Sequence, residues 1–231
     1  MKLTPILSMI ALIGLSAAPI AANASPRTYS YTISHPVYGA IGTYSRTIDD
    51  AGGDTRAVSR LRVAVKVLGI VAHRENADQT EVWRGKRLES FSSATTTNGR
   101  LLNVSGEARG NQFMVTTPLG TAAAPADVAA SDPWSLNRMG PGVVVSIKSG
   151  RLDKVDVTGG ETETVTLHGA SASARHYHVS TAAQANKWEV WIDAHGVPIK
   201  FRSAEKGGVV DFTLVSPAPQ AADRLALQGF Q

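Results

Sequence analysis

The chain contains no cysteine. That absence removes disulfide frameworks and every thiolate metal site. Charged residues make up only 18% of the 231 and aromatics 6%, the charged fraction lying below the usual quarter. With 43% hydrophobic residues the chain is still too apolar to be disordered. It has no short period, which excludes collagen-like and solenoid architectures. Long apolar runs are missing too: Ile6–Ala18 spans only 13 residues, whereas a membrane-crossing helix needs about 20. No G-x-S-x-G, H-E-x-x-H or phosphate-cradling glycine loop occurs; Gly169-Ala170-Ser171-Ala172-Ser173 lacks the last glycine of a nucleophile elbow. The net charge of +4 is too small for a nucleic-acid binder.

What is present begins at the N-terminus. Met1-Lys2 supplies a positive start, Ile6–Ala18 an apolar core, and Ala22-Asn23-Ala24 a small-residue site after Pro19. That order is a secretory signal peptide over residues 1–24, cleaved after Ala24. With no cysteine at the cleavage site the product is not a lipoprotein. The expected location is the periplasm, an oxidising compartment where lacking thiols is no handicap. Stability must then come from the core alone.

The exported part alternates with period 2. Tyr29, Tyr31 and Ile33 alternate with Thr28, Ser30 and Thr32; Leu61, Val63, Val65 and Val67 alternate with Arg60, Arg62, Ala64 and Lys66. Trp188, Val190 and Ile192 do the same, as do Val197, Ile199 and Phe201, then Val210, Phe212 and Leu214. Only a pleated strand sends i, i+2 and i+4 to one face. Turn residues such as Gly52-Gly53, Asn98-Gly99, Gly159-Gly160 and Gly207-Gly208 separate the runs at short intervals, so successive strands are antiparallel. The expectation is an all-β fold: a single antiparallel meander of about twelve strands, strongly curved or rolled into an irregular barrel. Thr121–Asp132 shows no β pattern and reads as a loop across the sheet. Asp132 caps one short helix at Pro133-Trp134, which Met139-Gly140-Pro141-Gly142 ends. Residues 25–215 read as one domain and 216–231 as a loose or short-helical tail.

Four stretches carry a likeness. They are Leu61–Arg74 with Thr80–Gly85; Leu88–Gly99; Pro125-Ala126-Asp127 with Pro133-Trp134; and Arg175-His176-Tyr177-His178 with Trp188–Asp193 and Gly196. Together they resemble a family of exported bacterial proteins catalogued only as a domain of unknown function. The resemblance implies a single β-rich periplasmic domain, distantly similar in architecture to the curved sheets of periplasmic lipoprotein carriers. It implies no activity.

Three groups could carry chemistry. Arg60, Arg62 and Lys66, with Arg56 and the hairpin residues Arg84, Lys86 and Arg87, form a basic stripe that could hold an oxyanion; the simpler reading is a solvated outer face. Trp83, Trp134, Trp188 and Trp191 pack a core or stack on a ligand, and Trp188 and Trp191 must face opposite sides of their strand. His176 and His178 share a strand face, roughly 6.5–7 Å apart along it, and His168 has the same parity. Imidazoles suit zinc or copper, but no carboxylate completes a recognisable sequence signature, and half-buried polar residues are the simpler reading.

Three functions follow. The first is a non-catalytic binding or carrier module for an amphiphilic or anionic envelope ligand, using Arg60, Arg62, Lys66, Trp83, Trp188, Trp191, His176 and His178. The second is a structural component that meets another envelope protein through strand edges or the Ala/Pro loop. The third is a metal-dependent hydrolase built on His168, His176 and His178. No cofactor is expected for the first two, and no residue is assigned as catalytic.

Overall fold

The computed structural model describes residues 25–136, 142–182, 184–205 and 208–217. The expected signal segment, the expected helix end at Met139–Pro141 and the tail beyond 217 lie outside these residues. Among the described residues fifteen strands are formed: β1 Arg27–His35, β2 Gly39–Ala51, β3 Asp54–Val67, β4 Ile70–Arg84, β5 Arg87–Thr97, β6 Arg100–Arg109, β7 Gln112–Thr117, β8 Gly120–Pro125, β9 Ala129–Ala130, β10 Gly142–Val145, β11 Leu152–Leu167, β12 Ala170–Thr181, β13 Gln184–Ile192, β14 Pro198–Glu205 and β15 Gly208–Pro217. All belong to one sheet, ordered β8-β7-β6-β5-β4-β3-β2-β1-β15-β14-β13-β12-β11-β10-β9. Neighbours pair antiparallel, except that β9 runs parallel to β10.

The topology forces the sheet to roll. β8 and β9 are its two edges, yet only Ala126–Val128 separates them in sequence. Laid flat, fifteen strands would be about 67 Å wide, while the chain from Pro125 to Ala129 reaches at most about 14 Å. The ends overlap without closing a barrel. β9 packs against β5, and the loop after β10 lies on β6 and β7 at Gly150. A Cβ there would stand 2.4 Å from Thr117 Cγ2, and its φ is +74°, so only glycine allows the approach.

Inside the roll the alternating apolar residues make one core, including Tyr31, Ile33, Trp83, Leu88, Phe91, Phe113, Val190 and Phe201. A second, smaller cluster lies on the outer face. Gly159 and Gly160 take positive φ at a shift in register, and beyond that bend Val165 and Ala174 pack with Trp191 and Ile199.

The strand count exceeds the expected twelve partly because Gly120–Pro125 and Ala129–Ala130 are strands and not loop. Alanine has little β preference, but an edge strand is held by backbone hydrogen bonds from its neighbour, and Pro125 sits at a strand end where its missing N–H costs nothing. The short helix is a 3₁₀ turn at Pro133–Ser135, capped as expected by Asp132, whose side chain accepts from the Trp134 N–H.

Candidate functional site

Because β3 alternates, Leu61, Val63 and Val65 face the interior of the roll. Further along the sheet the interior is filled by Tyr31, Tyr44 and Trp83; near Val63 and Val65 the walls stay apart. A cavity of about 700 Å³ results, lined by Ile33, Ile41, Leu61, Val63, Val65, Val210 and Phe212, with His35, Tyr38 and Val67 also on its wall. A second cavity of about 990 Å³ shares Leu61, Lys148 and Phe212 with it and extends to Tyr44, Asp132, Trp188 and Phe201. Arg100, Arg151 and Lys187 also line this second space. At the junction Lys148 Nζ donates to Glu75 Oε2 at 2.7 Å. The hairpin tips beside Tyr38 and Val67 are apolar and solvent-exposed: Val37, Leu68, Ile70 and Val71, with Leu68 97% exposed.

At the wall of the larger cavity sits a charge cluster that the sequence did not announce. Arg46 on β2 donates to both oxygens of Glu81 on β4 at 3.0 Å and to Ser59 Oγ at 3.1 Å. Trp83 Nε1 donates to Glu81 Oε2 at 2.9 Å. Asp132 Oδ2 lies 3.6 Å from Arg46 Nη1, and the Asp132 carboxylate also accepts from the Trp134 N–H and the Ser135 hydroxyl. Burial raises the Asp132 carboxyl to about 6; Arg46 pulls it down and Glu81 pushes it up. Burial also pushes Glu81 up, but Arg46 and the Trp83 N–H outweigh it and leave its carboxyl below the usual range. Two acids share one guanidinium, and the better-bonded one loses its proton first.

On the outer face β12 and β13 bring His176, His178 and Glu189 together, one possible ligand atom from each within 4.8 Å of the others. The register explains it, since His178 sits directly opposite Glu189. His176 Nε2 is 3.2 Å from Glu189 Oε2 and its Nδ1 is 3.3 Å from Glu163 Oε1. The Trp191 indole N–H donates to Glu163 and holds that carboxyl below its usual range. The His176 ring stacks on Trp191 at 4.1 Å.

The residues singled out by sequence therefore divide. Trp188 lines the interior cavity. Trp83 is fully buried and bonded to Glu81. Arg60 and Arg62 lie on the outer face, away from the two interior cavities, and both pair with Asp78; Arg60 and Arg56 line an open outer groove of about 870 Å³, and Lys66 is exposed on the same face. Trp191, His176 and His178 are on the outer face near one another. His168 stands apart in a hairpin turn, its Nε2 3.0 Å from the Leu214 carbonyl oxygen. Sequence reasoning missed Arg46, Glu75, Glu81, Lys148, Glu163 and Glu189. Parity alone could have found Glu189, which alternates with the inward Trp188 and Val190.

Comparison with known proteins fits this architecture. The family model described as "Domain of unknown function (DUF6134)" matches residues 39–215. No curated protein matches the chain. Among solved structures, the chain is similar to a crystal structure described as a "Beta-barrel-like Protein of Domain of Unknown Function DUF1849 from Brucella abortus". That similarity has a TM-score of 0.57 at 10% identity, over 84% of this chain and 98% of the other.

Proposed function

Since the chain belongs to the DUF6134 family, whose description names no activity, we propose from the geometry that it is a non-catalytic binding or carrier protein for an amphiphilic molecule with an anionic head. One observation carries the reading. An apolar cavity of about 700 Å³, walled by Val63, Val65, Val210 and Phe212, meets a second cavity that bears Arg100, Lys148, Arg151 and Lys187. Its size suits a small-molecule site. A hydrocarbon tail would replace water against the valines, each buried CH₂ contributing about 0.8 kcal/mol. The head would lie near Lys148, whose ammonium is already drawn inward by Glu75. The apolar hairpin tips beside the opening would give a tail its first contact. Export through cleavage after Ala24 belongs to this proposal and supplies the setting, a cell envelope rich in such molecules.

Native mass spectrometry of protein recovered from cells, followed by lipid extraction, tests the reading. A bound amphiphile is expected. Val65→Glu would place a carboxylate on the apolar wall and should abolish retention while leaving the circular dichroism unchanged. Recovery of an empty protein that also fails to take up a fluorescent fatty acid would defeat the proposal. N-terminal sequencing of the same material should begin at Ser25.

A further inference from the structure

Independently of the cavity, we propose that His176, His178 and Glu189 bind one divalent transition-metal ion of the zinc class on the outer face of the sheet. Three observations support it. The three ligand atoms already lie within 4.8 Å of one another, and His176 Nε2 and Glu189 Oε2 are 3.2 Å apart. Metal–ligand bonds of about 2.0–2.1 Å in a tetrahedron put ligand atoms about 3.4 Å apart, so small side-chain adjustments complete the site.

The ring nitrogens are the second observation. His176 Nε2 and His178 Nδ1 are both buried and make no hydrogen bond. The 3.2 Å approach of Glu189 to His176 is therefore a contact without hydrogen-bond alignment, and one ring nitrogen of each histidine is left without a partner. Buried polar atoms without a partner are uncommon and call for an explanation; a cation between them supplies one.

The third is the support behind His176. Its Nδ1 faces Glu163 Oε1 at 3.3 Å, and Glu163 is held in turn by the Trp191 indole N–H. A carboxylate at one ring nitrogen places the proton there and leaves the other as the ligand, which is how metal-binding histidines are usually oriented. On the far side Arg202 Nη1 lies 3.7 Å from Glu189 Oε1, which leaves Oε2 for the ion. Two imidazoles with one carboxylate and an open fourth position suit zinc better than calcium or magnesium, which prefer all-oxygen shells.

Titration of untagged, chelator-stripped protein with Zn²⁺ by calorimetry near neutral pH tests the site. One equivalent is expected to bind with micromolar or tighter affinity. His178→Asn and the near-isosteric Glu189→Gln should each weaken it at least tenfold, whereas His73→Ala and His168→Ala should leave it unchanged. Co²⁺ in place of Zn²⁺ should give the intense visible bands of a four- or five-coordinate ion, and those bands should vanish in the His176→Asn, His178→Asn double variant. No saturable binding, an aqua-like six-coordinate cobalt spectrum, or wild-type affinity in that folded double variant would each overturn the assignment.

Discussion

Two clusters of ionisable side chains sit in the same rolled sheet, and they are built on opposite terms. Inside the roll, Arg46, Glu81 and Asp132 are withdrawn from water, and Glu81 has both carboxylate oxygens bonded to Arg46. On the outer face, His176, His178, Glu163 and Glu189 remain in partial contact with solvent, and two ring nitrogens lack a hydrogen bond. The inner cluster is compensated within itself: it ties β2, β4 and the overlapping end of the sheet to one another. The outer one is a set of donors held in position by Trp191 and by strand register. Burial of a charge against bonded counter-ions marks a structural role, even though Arg46 Nε makes no hydrogen bond, because removing one partner leaves a charge with nowhere to go. Open lone pairs beside ordered carboxylates mark a place for a ligand.

The largest effect should come from stripping the inner cluster of both anions. Glu81→Gln with Asp132→Asn would bury the Arg46 guanidinium without a counter-ion and should cost roughly 3–5 kcal/mol in urea denaturation. Glu81→Gln alone should cost clearly less, because Asp132 can ionise in its place; equal losses in the two variants would show that Asp132 does not share the cation.

The next effect is one of pH. The folded Asp132 carboxyl is raised to about 6 from an ordinary 3.8. Between those values the folded protein keeps a proton that the unfolded chain has released, so stability should fall as pH rises through the window, by roughly 1–3 kcal/mol in all. Glu81 is shifted the other way, and its contribution should be lost as pH drops below the ordinary carboxylate range. Urea midpoints measured from pH 3 to 8 should show both slopes, and Asp132→Asn should erase only the upper one. An unchanged upper slope in that variant would move the titration to another group.

In the outer cluster, His178→Asn in chelated protein should change stability by no more than about 1 kcal/mol, since no hydrogen bond is lost at Nδ1. A larger loss without metal would make the cluster structural, like the inner one. Arg62→Ala gives the baseline. Arg62 is half exposed and paired with Asp78 on the outer face, and its removal should cost the least stability in urea denaturation, well under about 1 kcal/mol.

The legibility of these features followed a physical line. The inward and outward positions of β3 could be read from Leu61–Val67, because alternation is a property of the chain itself. The opposite facing of Trp188 and Trp191 was equally readable, as was the Asp132 cap, whose partner is two residues away. The strands at Ala122–Ala124 and Ala129–Ala130 were not, since their pairing is owed to neighbours and not to their own side chains. Arg60 and Arg62 read either as an oxyanion-holding stripe or, more simply, as a solvated outer face; that Asp78 is the acid they meet was decided by the β3–β4 register. The outer cluster joins residues 163, 176, 178 and 189, and it depends on a glycine bend at 159–160 and on the β12–β13 register. Neither can be measured along the sequence.

Local pattern therefore determined that this chain would be a meander of antiparallel strands with one apolar face, because side-chain alternation and turn glycines act over a few residues. Tertiary structure alone decided how far the sheet rolls, which ends overlap, and which distant acids meet Arg46 and His176. Those outcomes depend on closure of the whole sheet and on cross-strand register, where an offset of one residue would send each of these groups to the opposite face.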